Sequence, residues 1–402
     1  VVGCFKSDRE VEYMKIVHTA DWHIGKIVNQ VHMTEDQEYI LNEFVSFVST
    51  EKPNVIVISG DLYDRSVPPV EAVDLLDRVF TKILMELHIP IIAIAGNHDS
   101  GERIEFANRI LKANGLYIYG KLGSTIEPVR IEDEYGCVNF YAVPYADPAE
   151  VRNIMHDENI HNHNDAMKAI VDSIKKSMDR NSRNILVAHG FISGGEVSDS
   201  ERPLSIGGTE YIDRNIFEDF NYTALGHLHG PQRIGSDKIR YSGSLLKYSF
   251  SEARQKKSIS IVNLDKDGEI HVEKKSLKPR RDMRVLKGKL KDILSPEIYR
   301  QGNVEDYICV NLTDEEQIIE PMSKLRSVYP NILKLTRESF GSSLKNDRID
   351  IDKVYAKKDI LKLFDEFYTG ITGREFTREK KEVILDVLKY IKSEEGGIYE
   401  TD

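Results

Sequence analysis

The sequence predicts an α/β layered domain, followed by a smaller α+β unit and a pair of C-terminal helices. Three observations carry this reading. Short apolar runs alternate with longer amphipathic stretches over residues 15–120, a β-rich stretch follows at 231–275, and large apolar residues return at helical spacing after residue 353.

The organised sequence begins at Met14, which we expect to be the biological start, with residues 1–13 as a disordered leader. The strand-like run Lys15–Ala20 comes first. Val55-Ile56-Val57-Ile58 and Ile91-Ile92-Ala93-Ile94 repeat it, with helical stretches near 34–50, 70–87 and 102–113 between and after. Apolar runs this short and continuous suit strands buried on both faces, as in βαβ units. Further strands are expected at 138–143, 185–188 and 222–225, with a helix near 163–180. In the β-rich stretch, Ile239-Arg240-Tyr241 and Ile259–Val262 read as a pair of antiparallel strands, and Asp267-Gly268 as a hairpin turn.

The metal-motif-bearing region is expected to span 14–278. The basic stretch Lys278-Pro279-Arg280-Arg281-Asp282-Met283-Arg284 then marks a boundary, 285–345 forms an α+β unit, and 353–395 forms the helices. Leu361, Phe364, Phe367 and Tyr368 fall on one helix. Phe376, Val383, Ile384, Val387, Leu388 and Ile391 fall on the other, after the link Thr369-Gly370-Ile371-Thr372-Gly373.

A chain of 402 residues with 40% hydrophobic residues can bury a large core. It holds no apolar run of membrane-spanning length and no export-signal pattern, so no membrane association and a cytoplasmic location are expected. Cys4, Cys137 and Cys309 are odd in number and far apart, which suggests neither a disulfide framework nor a thiolate metal site. The net charge of -11 argues against a protein that coats nucleic acid by itself. Bound divalent cations would offset several of those charges locally.

Five short motifs lie at or just beyond the carboxyl ends of expected strands, where open α/β sheets place their ligands. They are Asp21-Trp22-His23, Gly60-Asp61-Leu62-Tyr63-Asp64, Gly96-Asn97-His98-Asp99, Ala188-His189-Gly190 and Gly226-His227-Leu228-His229. Each alone is weak. Jointly they present Asp, Asn and His, donors suited to Mn, Fe, Zn or Mg and not to soft copper. Neighbouring glycines leave room for sharp turns and bound ions.

In this order the motifs resemble those of the calcineurin-like metallophosphoesterases: D-x-H, G-D-x-x-D, G-N-H-D, H and G-H-x-H. The runs His18–Lys26, Gly60–Asp64 and Tyr241-Ser242-Gly243-Ser244-Leu245 are similar to one branch, the bacterial SbcD-type DNA-repair nucleases. The resemblance implies a layered β-sandwich core flanked by helices, with the 285–345 unit as a capping domain. It implies two divalent metal ions, expected to be Mn. One would be held by Asp21, His23, Asp61 and His229, the other by Asp61, Asn97, His189 and His227, with Asp61 bridging. His98 would stay off the metals and act on the phosphate as a catalytic acid, and Asp64 would orient it through Coulombic pairing.

The resemblance further implies a Mn-dependent exonuclease on duplex ends and endonuclease on hairpin or single-stranded DNA. Such a chain would be the catalytic subunit of an ATP-dependent complex, with DNA and an SbcC-type coiled-coil ATPase as partners and a homodimer within a heterotetramer. No G-x-x-x-x-G-K-[ST] loop is present, so ATP use would fall to the partner. The metal motifs by themselves fit a small-molecule phosphodiesterase or phosphatase equally well. Arg65 is a candidate phosphate contact through its planar fork. Trp22 reads as a rigid wall of the pocket, and His18 as a packed strand residue. His156, His161 and His163, in a uniformly polar setting with no strand before them, read as a solvated loop or helix end.

Overall fold

The computed structural model describes residues 5–6, 13–201, 204, 211–314, 316, 318–337, 364–365, 367–369, 373 and 375–395. The chain divides into two compact units, one of residues 1–285, 302–309 and 329–334, the other of 286–301, 310–328 and 335–402. Every motif residue lies in the first unit.

That unit is built on two sheets. In spatial order, the six-stranded sheet contains Ile270–Lys275, Ile259–Leu264, Met14–Thr19, Val55–Ile58, Ile91–Ile94 and Leu116–Tyr119. Its last four strands run parallel. The seven-stranded sheet contains Phe5–Lys6, Val129–Asp133, Gly136–Val143, Arg183–His189, Tyr222–Gly226, Ser236–Tyr241 and Gln232–Ile234. Its four strands from Gly136–Val143 to Ser236–Tyr241 are parallel. Of the N-terminal leader, Phe5–Lys6 pairs with Val129–Asp133, and the rest of 1–12 lies outside the described residues.

Strand periodicity explains the layering. Alternate side chains point to opposite faces, so Val55 and Val57 enter the core between the sheets together with Ile16, Ile92, Phe140, Ile185, Val187 and Val262. Ile56 and Ile58 face the other way and pack with Phe44, Leu75 and Phe80 of the helices Thr34–Glu51 and Val70–Thr81. On the outer face of the second sheet, Val151, Ile170 and Ile174 of helices Pro148–Met155 and His163–Ser177 cover Leu186 and Leu225. The result is a β-sandwich with helices on both outer faces. Strands buried on both sides need apolar residues at every position, which is why they read as unbroken Val/Ile runs.

Two sequence expectations need correction. Ile239–Tyr241 and Ile259–Val262 do not pair: the first lies parallel to Tyr222–Gly226 in one sheet, the second antiparallel to Met14–Thr19 in the other. The partner of Ile259–Leu264 across the expected turn is Ile270–Lys275, with Gly268 at φ 81°. The helix expected near 102–113 is broken into Gly101–Ile104, Asn108–Leu111 and a 3-10 turn, because Ala107 adopts the left-handed conformation at φ 59°.

The basic stretch is pinned to the first helix: Arg280 pairs with Glu35 at 3.0 Å and Arg281 with Asp36 at 2.9 Å. Met283–Gly288, Tyr307–Leu312 and Ile332–Arg337 form a three-stranded sheet with Tyr307–Leu312 in the middle. Near the C-terminus, Arg378–Glu395 is helical, and buried Phe376 packs on Phe364 and Tyr368 at centroid distances of 5.6 and 5.2 Å. Leu361 lies outside the described residues.

Candidate metal centre

The five motifs come together at one edge of the sandwich. Asp21, His23, Asp61, Asn97 and His98 follow strands of the six-stranded sheet; His189, His227 and His229 end or follow strands of the seven-stranded one. Aiming them at a common point requires unusual backbone. Asp21 (φ 54°), His23 (φ 47°), Asp61 (φ 52°) and His227 (φ 108°) all adopt positive φ, at a typical cost of ~1–3 kcal/mol each. Main-chain bonds hold the strained turns, from Asp21 N–H to the Gly60 carbonyl at 3.1 Å and from His23 N–H to the Asp61 carbonyl at 2.9 Å. Gly60, at φ 92°, is required twice over, since a Cβ there would also collide with His189 Nδ1.

The donor atoms fall into two sets. His23 Nε2 lies 3.0 Å from His229 Nε2. On the other side, Asn97 Oδ1 lies 3.0 Å from His189 Nε2 and 3.3 Å from His227 Nδ1. Asp61 Oδ2 sits between them, 3.6 Å from His23 Nε2 and 3.5 Å from His189 Nε2. Donor atoms of Asp21, Asp61 and His189 lie mutually within 4.8 Å, as do those of His23, Asp64 and His98. Nitrogen and oxygen donors ~2.1 Å from one ion sit about 3–3.5 Å from one another, so these spacings suit divalent cations.

Electrostatics and unmet hydrogen-bonding capacity point the same way. Burial, then the neighbouring Asp61, pushes the Asp21 carboxyl well above the usual carboxylate range. Burial and then the neighbouring His229 hold His23 well below the ordinary imidazole value; burial and then His189 do the same to His227. Burial also lowers His189. His23, His189 and His227 are therefore held neutral, with lone pairs to offer. Asp21 Oδ2 and His23 Nδ1 are buried without a hydrogen-bond partner. Orphaned polar atoms in an enclosed cluster of hard donors fit a site for cations.

Around this centre lie groups to which the sequence assigned no role, Asp99 from within a motif and the others from outside any. The Asp99 carboxylate accepts from the N–H groups of Leu62, Tyr63 and Gly96 at 2.9–3.1 Å, fastening one ligand loop to the next. Its own pKa is pushed up to about 7 by burial and then by Asp61. Gln37 accepts from Gly25 N–H and donates to the carbonyl of His23 at 2.7 Å. His229 is surrounded by Ser200, Glu201, Glu252 and Lys257.

Other expected residues take different places. The ring Nδ1 of His98 donates to the backbone carbonyl of Asp64 at 2.8 Å, while the Asp64 carboxylate pairs with Lys26 at 2.7 Å. The hydrogen bond that orients His98 is thus made by the main chain of residue 64, while a carboxylate oxygen of Asp64 lies within 4.8 Å of a His98 ring nitrogen. Arg65 is exposed. Trp22 is a buried wall, edge-on to Phe44 and Phe80. His156 and His161 are exposed, whereas His163 is buried, 5.8 Å from the Tyr145 ring, which corrects its reading as a solvated residue.

Residues 14–231, which hold both sets of donors, match the profile described as calcineurin-like phosphoesterase. The chain belongs to the calcineurin-like phosphoesterase family. It is therefore a metallophosphoesterase, a hydrolase by class. Residues 279–371 of this phosphoesterase match a second profile, described as the type 5 capsule protein repressor C-terminal domain. The D subunit of the nuclease SbcCD from Staphylococcus epidermidis is 38% identical over 383 residues, covering 95% of this chain and 100% of that relative. Two solved structures are also similar, each with a TM-score of 0.38. The protein TT1561 of Thermus thermophilus is 14% identical, over 65% of this chain and 99% of its own. A dimetal phosphatase from Danio rerio is 12% identical, over 67% of this chain and 98% of its own.

Proposed function

We propose that this phosphoesterase is a Mn-dependent DNA nuclease, the catalytic subunit of an SbcCD-type DNA-repair complex that acts in the cytoplasm. The observation that carries the phosphodiester chemistry is the pair of donor sets joined through Asp61 Oδ2, 3.5–3.6 Å from an imidazole nitrogen of each. The choice of DNA rests on the 38% identity to an SbcCD nuclease subunit along the whole of that relative. A small-molecule phosphodiesterase would not need the C-terminal region that the second profile matches.

In this reading Asp21, His23, Asp61 and His229 hold one divalent ion, and Asp61, Asn97, His189 and His227 the other. Such ions, when bound, supply Lewis-acid neutralisation of the phosphoryl oxygens and lower the pKa of water. The chain's own residues do the rest. The carbonyl of Ser59 accepts from His189 Nδ1 at 2.8 Å, so His189 Nε2 carries the lone pair facing Asn97 and Asp61. His98, its Nδ1–H fixed on the Asp64 carbonyl, keeps Nε2 for the substrate. Protonated there, it donates to the departing sugar oxygen.

Two surfaces support the partners. Beside the catalytic loops, Val67, Val70, Met85, Phe106 and Ile110 are all more than half exposed around an apolar groove of about 550 Å³ lined by Leu76, Phe80, Leu84 and Ile104. A second copy of this chain would cover them, giving a two-fold dimer. Val383 and Val387 of helix Arg378–Glu395 are also exposed and one turn apart, a stripe suited to the coiled coil of an SbcC-type ATPase.

The test is to incubate the purified protein with Mn and, separately, linear duplex DNA, hairpin DNA and bis-p-nitrophenyl phosphate. Cleavage of all three is expected. Hydrolysis of the small ester with both DNAs left intact would replace the nuclease reading with a small-molecule phosphodiesterase.

A further inference from the structure

The bonds around His229 form a chain whose proton positions can be assigned. Ser200 Oγ lies 2.5 Å from Glu252 Oε1 and 2.6 Å from His229 Nδ1. Glu252 is fully buried, and Lys257 binds its other oxygen, Oε2. The Lys257 ammonium paired on Oε2 marks Glu252 as a carboxylate. An ionised carboxylate only accepts. The single hydroxyl hydrogen of Ser200 therefore points to Glu252, and its oxygen must accept from His229 Nδ1–H. That fixes the tautomer of His229, leaving a lone pair on Nε2, the atom 3.0 Å from His23 Nε2.

The backbone of His229 is held by the same neighbourhood. Glu201 accepts from its N–H at 2.8 Å, and Lys257 donates to its carbonyl at 2.7 Å and to Ser244 Oγ at 2.9 Å. Residues from 198–201 and 244–257 thus converge on the ring and backbone of His229.

We infer that Ser200, Glu252 and Lys257 are positioning residues, a hydroxyl-mediated carboxylate relay that presents His229 Nε2 to one cation. The inference rests on the metal reading above. A histidine ligand normally donates its second N–H to a carboxylate or carbonyl, and loss of such a partner typically lowers metal affinity ~10–100-fold. Here a serine hydroxyl stands between. A direct carboxylate partner would be visible as a short His–Glu contact, whereas Glu252 Oε1 is 3.8 Å from His229 Nδ1. The buried Lys257–Glu252 pair explains how the relay keeps its negative end inside the protein.

The test is Mn binding to the full chain, followed by electron paramagnetic resonance of free Mn(II), for wild type, Ser200→Ala and Ser200→Thr. Wild type should take two ions. Ser200→Ala should weaken one of them ~10–100-fold and leave the other unchanged, with the melting temperature of the metal-free protein within a few degrees of wild type. Ser200→Thr, which keeps the hydroxyl, should restore binding to within a few-fold. Two ions bound by Ser200→Ala with wild-type affinity would overturn the relay. So would equal weakening of both ions with a lowered metal-free melting temperature, the mark of a merely structural serine. A wild type that binds no pair of ions would refute the metal reading itself, a different outcome from either.

Discussion

The His98 ring is tied to Asp64 by a 2.8 Å bond from Nδ1 to a backbone carbonyl, and not by its carboxylate. A carbonyl accepts the N–H without taking the proton, so the bond serves to aim the ring. Because the main chain at 64 makes this bond, the orientation of His98 is expected to survive a change of the residue-64 side chain, while loss of the imidazole would remove the proposed acid.

We therefore expect His98→Ala to keep metal content near wild type and lose ~10²–10⁴-fold in hydrolysis rate, the usual contribution of a positioned acid. Elemental analysis alongside kinetics on bis-p-nitrophenyl phosphate checks this. Loss of an ion from the variant would move His98 among the ligands, next to His23 and Asp64, with whose donor atoms its own lies within 4.8 Å.

Asp61 stands between the two donor sets and also accepts from His98 N–H at 2.9 Å. Asp61→Ala should accordingly lose both ions together, measured as metal stoichiometry after dialysis. Retention of two tightly held ions would mean that no carboxylate is shared.

His18 offers a readout of fold stability away from the ions. It is fully buried, bonded through Nδ1 to Tyr222 Oη at 2.9 Å and through Nε2 to the Leu225 carbonyl at 3.2 Å. Burial lowers its pKa to about 3. The unfolded chain takes up a proton below about pH 6.5 while the folded one does not. Stability is then lost as pH falls from ~6.5 towards 3, by up to ~1.4 kcal/mol per pH unit from this group. His18→Gln should be less stable than wild type at pH 7. The gap should narrow by roughly 2 kcal/mol by pH 5, as measured by urea denaturation. A gap independent of pH would show that His18 is not held neutral.

Deleting residues 353–402 should abolish co-purification with an SbcC-type ATPase and leave Mn-dependent cleavage of a small phosphodiester intact. All of the donor residues lie in the other compact unit, so the catalytic readout is separable. Unchanged partner binding would remove helix Arg378–Glu395 from the assembly.

Much of the centre could be read from the chain because its donors sit in short motifs at strand ends, where unbroken apolar runs such as Val55–Ile58 give way to Ser59-Gly60. Most of what escaped has one physical origin: it depends on partners distant in sequence. Nothing local tells Ile259–Leu264 to pair with Met14–Thr19, or separates it from Ser236–Tyr241 in the other sheet. Ser200, Glu252 and Lys257 are polar residues in segments without periodicity, and such residues read as solvent-exposed loop. Only the fold shows that Glu252 and Lys257 neutralise each other in the interior. The orientation of His98 escaped for another reason, since a backbone carbonyl has no signature in sequence at all.

The span between His23 and His229, 206 residues apart in sequence yet 3.0 Å apart in space, also has a meaning in time. As the chain is synthesised, the first three motifs emerge early, while His227 and His229 arrive after more than half of it has been made. No nascent fragment ending before His227 carries either complete set of donors. Neither proposed donor set is complete until the seven-stranded sheet, whose strands precede or carry His189, His227 and His229, has been made.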